Sequence, residues 1–571
     1  MSARPRSVRV RPVHVLPVGR DAVLLELEDG PATLALFDAL TSAVSSAADR
    51  GDWSASIVEV VPAARTVLVR VRPGTGGVAR VVAGIRALPV GAGERPPGAV
   101  VTIPVVYDGA DLAEVAERTG LTVEEVVRRH TAAEYDVAFT GFAPGFAYLS
   151  GGDPTLVVRR RSTPRTTIPA GAVGLAGPFS GVYPRSSPGG WQLVGRTALS
   201  MWDLDRTPPA LLRPGMRVRF TREDPVARRP SRTGTAVDAV AMRGDRCDPS
   251  AIAEPRGNGS WLEVLDPGLL SLVEDLGRPG QSALGVSGSG AADRAASRRA
   301  NRLLGNATGA ALIEHVGGGL VLRAHGGVVV AVTGASGPLT IARPAPARDG
   351  AADAGDTARL DAVPLDAELL DAERDRPLLL RDGDVLVLGA PTTGTTASVA
   401  VLGGLAVPPV LGSRSTDVLS GLGPAPLRAG SVLPLGTATT GSVADAPEPG
   451  PRLPSVGDVV TVDVTPGPRD DWFGDAALAA FRTTDWLVTP RSNRVGSRLA
   501  GPALSRVVDH ELPSEATVAG AVQVPADGQP VVFLADHPVT GGYPVIAVVV
   551  PEHLGLVAQT PPGARLRFRG V

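Results

Sequence analysis

A pentapeptide in the last third of the chain concentrates side chains that could bind an anion. Gly412-Ser413-Arg414-Ser415-Thr416 places three hydroxyl groups and a guanidinium side by side. An arginine can hold a phosphate or a carboxylate through two parallel hydrogen bonds, which a lysine cannot do. The alternative is a polar turn in which Arg414 pairs with a structural carboxylate. The motif therefore predicts either an anion site or a tightly tied turn.

Polar side chains also recur every fourth residue in a helix-forming stretch. Asp293, Ser297 and Asn301 stand at i, i+4 and i+8, so a helix over 291–304 places them on one face. We expect Ser289 to cap this helix, and the glycines beside Ser289 to present backbone N–H groups where anions bind well. The alternative is a stripe that faces solvent, with Asp293 answering the helix dipole.

His130 is the candidate acid or base of the first half. The helix before it starts at Thr122, whose hydroxyl can cap while Glu125 reaches back. His130 lies near the C-terminus of this helix, where the dipole favours the imidazolium form. The alternative is an ordinary surface histidine at a helix end.

Two motifs place a glycine pair beside an aromatic residue. They are Ser187-Pro188-Gly189-Gly190-Trp191 and Thr540-Gly541-Gly542-Tyr543. Such glycines allow a backbone to approach a ligand closely, and they equally allow tight barrel corners. Arg278, which lies among glycines and a proline, is a further candidate for ligand contact.

Short strands must position most of these residues. The 69 glycines and 53 prolines punctuate runs rich in Val, Leu and Thr, which is typical of β-sandwiches and barrels. Strands are predicted at 22–27, 57–61, 66–71 and 100–107, with a helix at 32–48 between the first two. The chain thus begins with a small α/β unit and continues as mainly β structure with some helix.

The absence of lysine excludes several kinds of chemistry. All 56 basic residues are arginines, so the chain has no Walker A lysine, no Schiff base and no lysine to carry biotin or pyridoxal phosphate. Cys247 is the single cysteine, so an internal disulfide framework is excluded. We find no clustered zinc ligands and no nucleophile elbow.

Charge and hydropathy suggest small-molecule or protein partners. A net charge of −2 argues against nucleic acid or an anionic membrane as the main partner, and clusters such as 159–161 are read as solvated surface. No apolar run has the length of a signal peptide or a membrane span. We therefore expect a cytoplasmic location, and homo-oligomers are compatible with the sequence.

An ordered repeat links the two halves of the chain. Ala170-Gly171-Ala172-Val173 recurs as Ala519-Gly520-Ala521-Val522, and each copy is followed by its glycine pair and aromatic residue. Each copy then closes with Pro-Gly-x-Arg-x-Arg-Phe, at 214–220 and 562–568. The repeat predicts two copies of one β-domain, with Trp191 and Tyr543 at equivalent positions and a ligand cleft between domains.

These motifs resemble those of two known families. Similarity to the 5-oxoprolinase B subunit rests on Phe142-Ala143-Pro144-Gly145-Phe146-Ala147-Tyr148-Leu149, on 169–173, on Tyr183-Pro184 and on 187–191. Similarity to the C subunit rests on 275–280, 289–293, Asn301, 412–416, Ser514-Glu515, 523–525 and 540–544. Two departures are Glu274, where the family usually has glutamine, and His537-Pro538-Val539, where Gln-Thr is common.

The resemblance implies a fold and a domain order. It implies several cyclophilin-like β-barrel domains plus a small N-terminal α/β domain. The expected division is an α/β domain at 1–97 and a cyclophilin-like domain at 98–222, both like the B subunit, then a linker at 223–259. The first part of a carboxyltransferase domain like that of the C subunit follows at 260–455, and its C-terminal cyclophilin-like part at 456–571.

The resemblance also implies an activity that needs a partner. The chain would act with a separate protein like the 5-oxoprolinase A subunit, using ATP with Mg²⁺ at the level of the complex to open 5-oxoproline to L-glutamate. Two alternatives stay open: a biotin-dependent carboxyltransferase component acting on urea or a related amide, and a regulatory protein that binds a histidine kinase. The first would need biotin on another chain.

On this basis the site residues are assigned as follows. The candidate catalytic residues are His130, Asp293 and Arg414. The candidate substrate- or nucleotide-binding residues are Phe142, Pro144, Gly145, Ser187, Gly189, Gly190, Arg278, Asn301, Ser413, Ser415, Thr416, Gln523, Thr540, Gly541, Gly542 and Tyr543. No metal site is expected.

Overall fold

The structure is a computed structural model that describes residues 12, 14–47, 52–73, 77–89, 100–224, 259–344 and 367–571. Most of the expected linker, including Cys247, lies outside the described residues.

The N-terminal unit is a four-stranded antiparallel sheet with two helices. Its elements are β1 His14–Val18, β2 Ala22–Glu26, α1 Gly30–Ser45, β3 Ile57–Pro62, β4 Thr66–Val71 and α2 Gly77–Ala87. The strand order is β1-β2-β4-β3. Helix α1 starts two residues before its predicted first residue because Asp29 caps it, accepting a hydrogen bond from the Ala32 backbone N–H at 2.8 Å.

The next unit is a seven-stranded barrel that carries two helices. Its elements are β5 Val100–Val105, α3 Leu112–Thr119, α4 Val123–Ala132, β6 Glu134–Thr140, β7 Ala147–Ser150, β8 Arg165–Ile168, β9 Ala172–Ala176, β10 Phe179–Val182, β11 Ser187–Gly189, β12 Gln192–Arg196 and β13 Arg217–Arg222. The order is β12-β9-β10-β7-β6-β13-β5, and a bridge between Val106 and Arg196 joins the two edges. Strands β8 and β11 pair separately beside the barrel.

A two-sheet sandwich follows. Its elements are β14 Trp261–Pro267, β15 Leu270–Glu274, α5 Arg294–Leu303, β16 Leu312–Val316, β17 Leu320–His325, β18 Val328–Ser336, β19 Leu339–Arg343, β20 Glu368–Asp371, β21 Pro377–Leu380, β22 Val385–Leu388, β23 Thr393–Val401 and β24 Val432–Pro434. Six strands form one sheet and five the other, and buried aliphatic side chains from both sheets make one core.

The C-terminal unit is a closed barrel. Its elements are β25 Val459–Pro466, α6 Asp475–Thr483, β26 Trp486–Val488, β27 Gly496–Ala500, β28 Glu515–Ala516, β29 Ala521–Gln523, β30 Val531–Phe533, β31 Thr540–Gly541, β32 Val545–Val549, α7 Leu554–Ala558 and β33 Arg565–Gly570. The order around the barrel is β25-β32-β29-β30-β27-β26-β33, and β28 pairs with β31 beside it.

The two barrels have the same topology. Replacing β5 to β13 by β25 to β33 in sequence converts the strand order of the first barrel into that of the second. Both barrels also have one parallel pair, β13 with β5 and β33 with β25. Gly190 and Gly542 each follow the strand that pairs beside the barrel. The prediction from the repeat, that the two halves share a β-domain, is therefore confirmed at the level of strand order.

The N-terminal sheet packs against the C-terminal barrel. Val18, Leu24 and Leu68 share a buried cluster with Phe533 and Val548. Parts that are far apart in the chain therefore form one core. Within the described residues, none of the helices combines the length and the apolar character needed to cross a lipid bilayer.

Candidate functional site

Four loop segments from different units meet between the two barrels. The Gly145 backbone N–H donates to the Leu284 carbonyl at 3.0 Å. A Cβ atom at Gly141 would lie 2.0 Å from the Thr540 Oγ1, so the Gly141 backbone lies directly against the Thr540 side chain. We call these segments the central seam; they comprise residues 141–146, 282–290, 410–423 and 536–543.

The first segment of the seam has two backbone positions in the left-handed region. Phe142 has φ 65° and Gly145 has φ 75°. The half-buried Phe142 ring packs edge-on against Phe146 and Tyr183. Because Pro144 and Gly145 are buried, Phe142 is the member of the motif that retains exposed surface. The structure thus brings these three predicted residues to the seam.

Asp275 organises the 412–416 loop. Its Oδ1 accepts hydrogen bonds from the Ser413 and Ser415 hydroxyls, both at 2.6 Å, and its Oδ2 accepts from the Arg414 backbone N–H at 2.6 Å. The Thr416 hydroxyl donates to the Pro424 carbonyl at 2.9 Å. All three hydroxyls are therefore engaged in hydrogen bonds within the protein. The loop is a polar turn, as in the alternative prediction, but the serine hydroxyls and the Arg414 backbone N–H bind the carboxylate, and the guanidinium does not.

The two predicted arginines differ in what remains available to a ligand. Arg414 is half-buried and its Nε donates to the Val407 carbonyl at 2.7 Å, which leaves its Nη groups without a hydrogen bond to the described residues. Arg278 is 1% exposed, donates to the Ser415 carbonyl, and its Nη1 has no partner among the described residues. Arg414 is thus the more accessible of the two.

A buried charge cluster joins the sandwich to the second barrel. Arg494 lies between Asp536, with Nε to Oδ2 at 3.0 Å, Glu314, and Glu274, with Nη2 to Oε1 at 3.3 Å. All four side chains are at most 5% exposed. Burial raises the pKa of Glu274 well above its usual value and raises that of Glu314. The Ser289 hydroxyl donates to Asp536 at 2.6 Å and extends the cluster into the seam.

His130 is not the exposed, charged histidine that its position suggested. It is fully buried in the first barrel, where its Nδ1 lies 2.7 Å from the Tyr107 hydroxyl and its Nε2 lies 2.9 Å from that of Ser180. Its ring stacks on Phe220 at 4.4 Å. Burial lowers the pKa of His130 to about 3, so the expected imidazolium form is wrong. Desolvation outweighs the helix dipole here.

The predicted polar face of helix α5 points inward. Asp293, Ser297 and Asn301 are all buried, so the solvent-facing alternative is wrong. Asp293 caps the helix through the Ala296 backbone N–H at 3.0 Å and accepts from Gln559 of the second barrel at 2.9 Å. These contacts give Asp293 an architectural role.

Asn301 and Ser289 also make internal contacts. Asn301 donates to the Ala310 carbonyl at 2.8 Å and accepts from Asn306 at 2.9 Å. The predicted cap at Ser289 is wrong, because the helix begins at Arg294 and Asp293 supplies the cap. Ser289 and the glycines on either side of it precede the cap. They therefore do not form the N-terminal turn of the helix, where the anion site was expected.

The glycine pairs occupy equivalent corners of the two barrels. A Cβ atom at Gly189 would lie 2.4 Å from the Tyr183 hydroxyl, and one at Gly541 would lie 2.7 Å from the Gln523 amide nitrogen. Gly190 and Gly542 have more space around them. Gln523 donates to the Tyr543 carbonyl at 3.0 Å, so three of these predicted residues form one corner of the second barrel.

The equivalent aromatic residues have different surroundings. Trp191 is 5% exposed and packs among Phe146, Tyr148 and Tyr183, whereas Tyr543 is 45% exposed. Ser187 lies beside the first barrel on β11 and is half-buried. The first corner is therefore filled by aromatic rings and the second is open.

A cleft of about 280 Å³ lies between the N-terminal sheet and the open corner of the second barrel. Its walls include Glu26 and Arg65 from the sheet and Arg469 and Glu515 from the barrel. Arg469 Nε donates to Glu515 at 3.0 Å, and its Nη2 lies 3.3 Å from Glu26. Burial raises the pKa of Glu515, whereas Arg469 outweighs partial burial and lowers that of Glu26.

Apart from Glu515, which is part of a quoted motif, sequence reasoning did not assign the charged residues of these two clusters to a site. Arg494, Asp536 and Arg469 stand outside any compact motif, and their partners are remote in the chain. Glu274 was noted only as a departure from the family pattern. Within the described residues, no group of three His, Cys, Asp or Glu side chains is arranged to hold a metal ion.

Two family models match the chain in succession. The model for carboxyltransferase domain, subdomain C and D, matches residues 13–212, and the model for carboxyltransferase domain, subdomain A and B, matches residues 284–570. The chain belongs to the carboxyltransferase-domain family. The solved structure of TTHA0988 is similar to this chain: the match covers 96% of this chain and 99% of that one, with 33% identity and a TM-score of 0.76.

Three named relatives each match about a third of this chain. The 5-oxoprolinase B subunit of Escherichia coli O157:H7 is 41% identical over 207 residues, which is 36% of this chain and 93% of that protein. The 5-oxoprolinase C subunit of Escherichia coli K12 is 34% identical over 194 residues, 34% of this chain and 61% of that protein. Urea amidolyase of Lachancea kluyveri is 32% identical over 219 residues, but the match spans only 12% of that protein.

Proposed function

We propose that the chain supplies the B and C components of an ATP-dependent 5-oxoprolinase. The reaction converts 5-oxo-L-proline, ATP and water to L-glutamate, ADP and phosphate. One observation carries the proposal: two family models match successive parts of this single chain, and relatives named as the B and the C subunits of 5-oxoprolinase match 207 and 194 residues of it. Physical linkage of the two components suits a function that needs both.

The proposal requires a separate partner of the A type. The chain has no lysine for a Walker A site, and Asp275 occupies the hydroxyls of Ser413 and Ser415. Both observations favour nucleotide binding, with Mg²⁺, on the partner. ATP would supply a phosphoryl group to activate the lactam oxygen, since an unactivated amide is slow to hydrolyse.

In this proposal the chain binds and orients the substrate where the halves meet. Three predicted residues have side chains that keep exposed surface there: Phe142, Arg414 and Tyr543. A guanidinium holds a carboxylate in a fixed orientation, and aromatic rings cover the apolar face of a small ring. Holding a substrate in a reactive geometry contributes to the rate without a nucleophile in this chain.

A carboxyltransferase component is the second candidate. The family models describe carboxyltransferase subdomains, and part of urea amidolyase is similar to this chain. Because the chain lacks lysine, biotin would have to be carried by another protein. That requirement makes it the weaker candidate.

Reconstitution tests the proposal. The purified chain alone should show no 5-oxoproline-dependent ATP hydrolysis, and addition of its cognate A-type partner should produce it. Robust turnover by the isolated chain would contradict the need for a partner. No turnover with a folded cognate partner would contradict the proposed activity.

A further inference from the structure

The interdomain cleft has the size of a site for a very small molecule. Its volume of about 280 Å³ lies just below the usual range of ligand pockets, which is roughly 300–1,000 Å³. The ring of Trp472 forms part of one wall, and His510 packs edge-on against it at 5.1 Å. The cleft therefore offers an apolar wall beside its charged groups.

The charges on the walls suit a carboxylate that also carries N–H groups. Arg65 forms no ion pair with the described residues and donates only to the Leu27 carbonyl, at 3.3 Å. Arg469 makes three hydrogen bonds with Glu515 and Glu26, and its Nη2 also lies 3.3 Å from Glu26 Oε1, so one N–H group of Nη1 remains for a ligand. The exposed Glu511 has no ion pair with the described residues and is available as an acceptor.

Comparison of the duplicated barrels shows that this charge pattern is particular to the second one. The Asp111 backbone N–H donates to the Leu193 carbonyl of the first barrel, and the Arg469 backbone N–H donates to the Val545 carbonyl at the same place in the second. In the first barrel, the two Nη groups of Arg165 donate hydrogen bonds to the Asp111 carboxylate at 2.7 and 2.8 Å.

The partners of this central residue also correspond. Arg165 pairs with Gly189 beside the first barrel, and Glu515 pairs with Gly541 beside the second. The buried ion pair thus keeps its position and is reversed in sign, with an arginine at the centre of the second corner. Asp111 also accepts from Arg161 at 2.9 Å, so one aspartate lies between two arginines in the first corner, whereas one arginine lies between Glu515 and Glu26 in the second.

We infer that the cleft between the N-terminal sheet and the second barrel binds a carboxylate of single-amino-acid size, with Arg65 and Arg469 on the carboxylate and glutamate side chains on its N–H groups. The inference rests on the proposed function, because 5-oxoproline and L-glutamate both have this chemistry. Glu515 lies opposite Gly541, so the cleft adjoins the predicted binding residues 540–543.

Calorimetric titration of the full chain with 5-oxo-L-proline and with L-glutamate tests the inference. At least one should bind saturably, and propionate, which lacks an N–H group, should bind at least about tenfold more weakly. Arg65→Gln should raise the Kd of the bound ligand about tenfold or more, since it removes a charged partner. His510→Glu should also weaken binding, because it adds a negative charge at an exposed rim position.

Arg567→Gln is the matched control, since Arg567 lies on the outer face of the same barrel, pairs with Asp485 and is 49% exposed. Its Kd should equal that of the wild type. Absence of saturable binding by both amino-acid ligands, equal binding of propionate, or wild-type affinity in folded Arg65→Gln or His510→Glu would overturn the inference. Neither the A-type partner nor ATP is present in this titration, so binding here without turnover in the reconstituted complex would contradict the proposed function alone.

Discussion

Arg494 is surrounded by more carboxylates than it can neutralise. Glu274, Glu314 and Asp536 all lie against its single guanidinium in a buried environment. Because desolvation penalises each uncompensated negative charge, burial raises the pKa of Glu274 and of Glu314. A protonated Glu274 has nearly the shape of glutamine, so glutamine should fit the same space.

Glu274→Gln should therefore fold, and its advantage over the wild type should grow with pH. In the folded chain Glu274 keeps its proton to a higher pH than its usual pKa of 4.5 would allow. Its contribution to the free energy of unfolding is therefore complete below pH 4.5 and declines as the pH rises toward the pKa of the folded state. Glutamine does not titrate. Between the usual and the folded-state pKa of Glu274, the difference in free energy of unfolding between variant and wild type should therefore grow by up to about 1.4 kcal/mol per pH unit.

Melting temperatures at pH 5 and pH 8 check this expectation, with the exposed Glu552→Gln as control. The Glu274→Gln variant should gain stability relative to the wild type between the two pH values, and the control should not. A variant that is equally destabilised at both would show that Glu274 is ionised and paired with Arg494.

Residue types alone could not assign these roles. His130 and Asp293 have the chemistry of catalytic residues, yet one is buried against Phe220 and the other caps α5 and binds Gln559. Burial depends on contacts with remote parts of the chain, which local spacing does not contain. Whether either residue takes part in the reaction stays a prediction.

At the scale of elements, Asp275 fixes the backbone of the 412–416 loop and so presents Arg414. The bond from the Arg414 backbone N–H to Asp275 is 2.6 Å, and the Nε bond to Val407 is 2.7 Å. Sequence reasoning recognised the loop and left open whether it binds an anion or forms a tied turn. It could not identify Asp275 as the carboxylate, because the two segments are more than 130 residues apart.

The Arg414→Lys variant tests whether the guanidinium positioned by this loop binds a ligand. Lysine keeps the charge and loses the two-pronged geometry, and each charge-assisted hydrogen bond contributes about 1.5–3 kcal/mol. Turnover in the reconstituted complex should fall about tenfold or more, with a small decrease in melting temperature from loss of the Val407 bond. Arg567→Lys serves as control. Wild-type turnover with a lowered melting temperature would remove Arg414 from the site.

Elements that repeat in sequence were the most predictable part of the fold. The strand at 66–71 has its predicted bounds, and the ordered repeat matches the shared strand order of the barrels. Alternating apolar residues and Gly/Pro turns are local signals, so they specify strands well. Which corner is open depends on Trp191 and Tyr543, and their burial follows from packing rather than from position in the repeat.

At the scale of the whole molecule, the two halves interlock rather than lie side by side. The N-terminal sheet packs on the second barrel, and the 141–146 segment contacts both the 282–290 and 536–543 segments. The cleft and the seam exist only because of this arrangement. The repeat predicted a cleft between related domains, but it did not indicate that the N-terminal sheet packs on the second barrel, since each half has its own motifs and the linker between them is polar.

Gly141→Ala should weaken the packing of the halves. Its Cβ would lie 2.0 Å from the Thr540 Oγ1, and overpacking of this kind costs about 1–3 kcal/mol. The melting temperature should fall, and Thr540→Ala in the same chain should restore part of it. Gly327→Ala is the control, because nothing lies within 4 Å of its added Cβ. Unchanged stability in Gly141→Ala would contradict the packing of the seam.

The central claim is that this one chain provides both the B and C components of a 5-oxoprolinase. The most direct measurement is formation of L-glutamate from 5-oxo-L-proline by the chain with its cognate A-type partner and ATP, in the presence and absence of avidin. We expect glutamate and phosphate in equal amounts, with no effect of avidin, because biotin has no part in this reaction. No glutamate, together with avidin-sensitive carboxylation of urea when a biotin carrier is added, would contradict the claim and assign the chain to a carboxyltransferase.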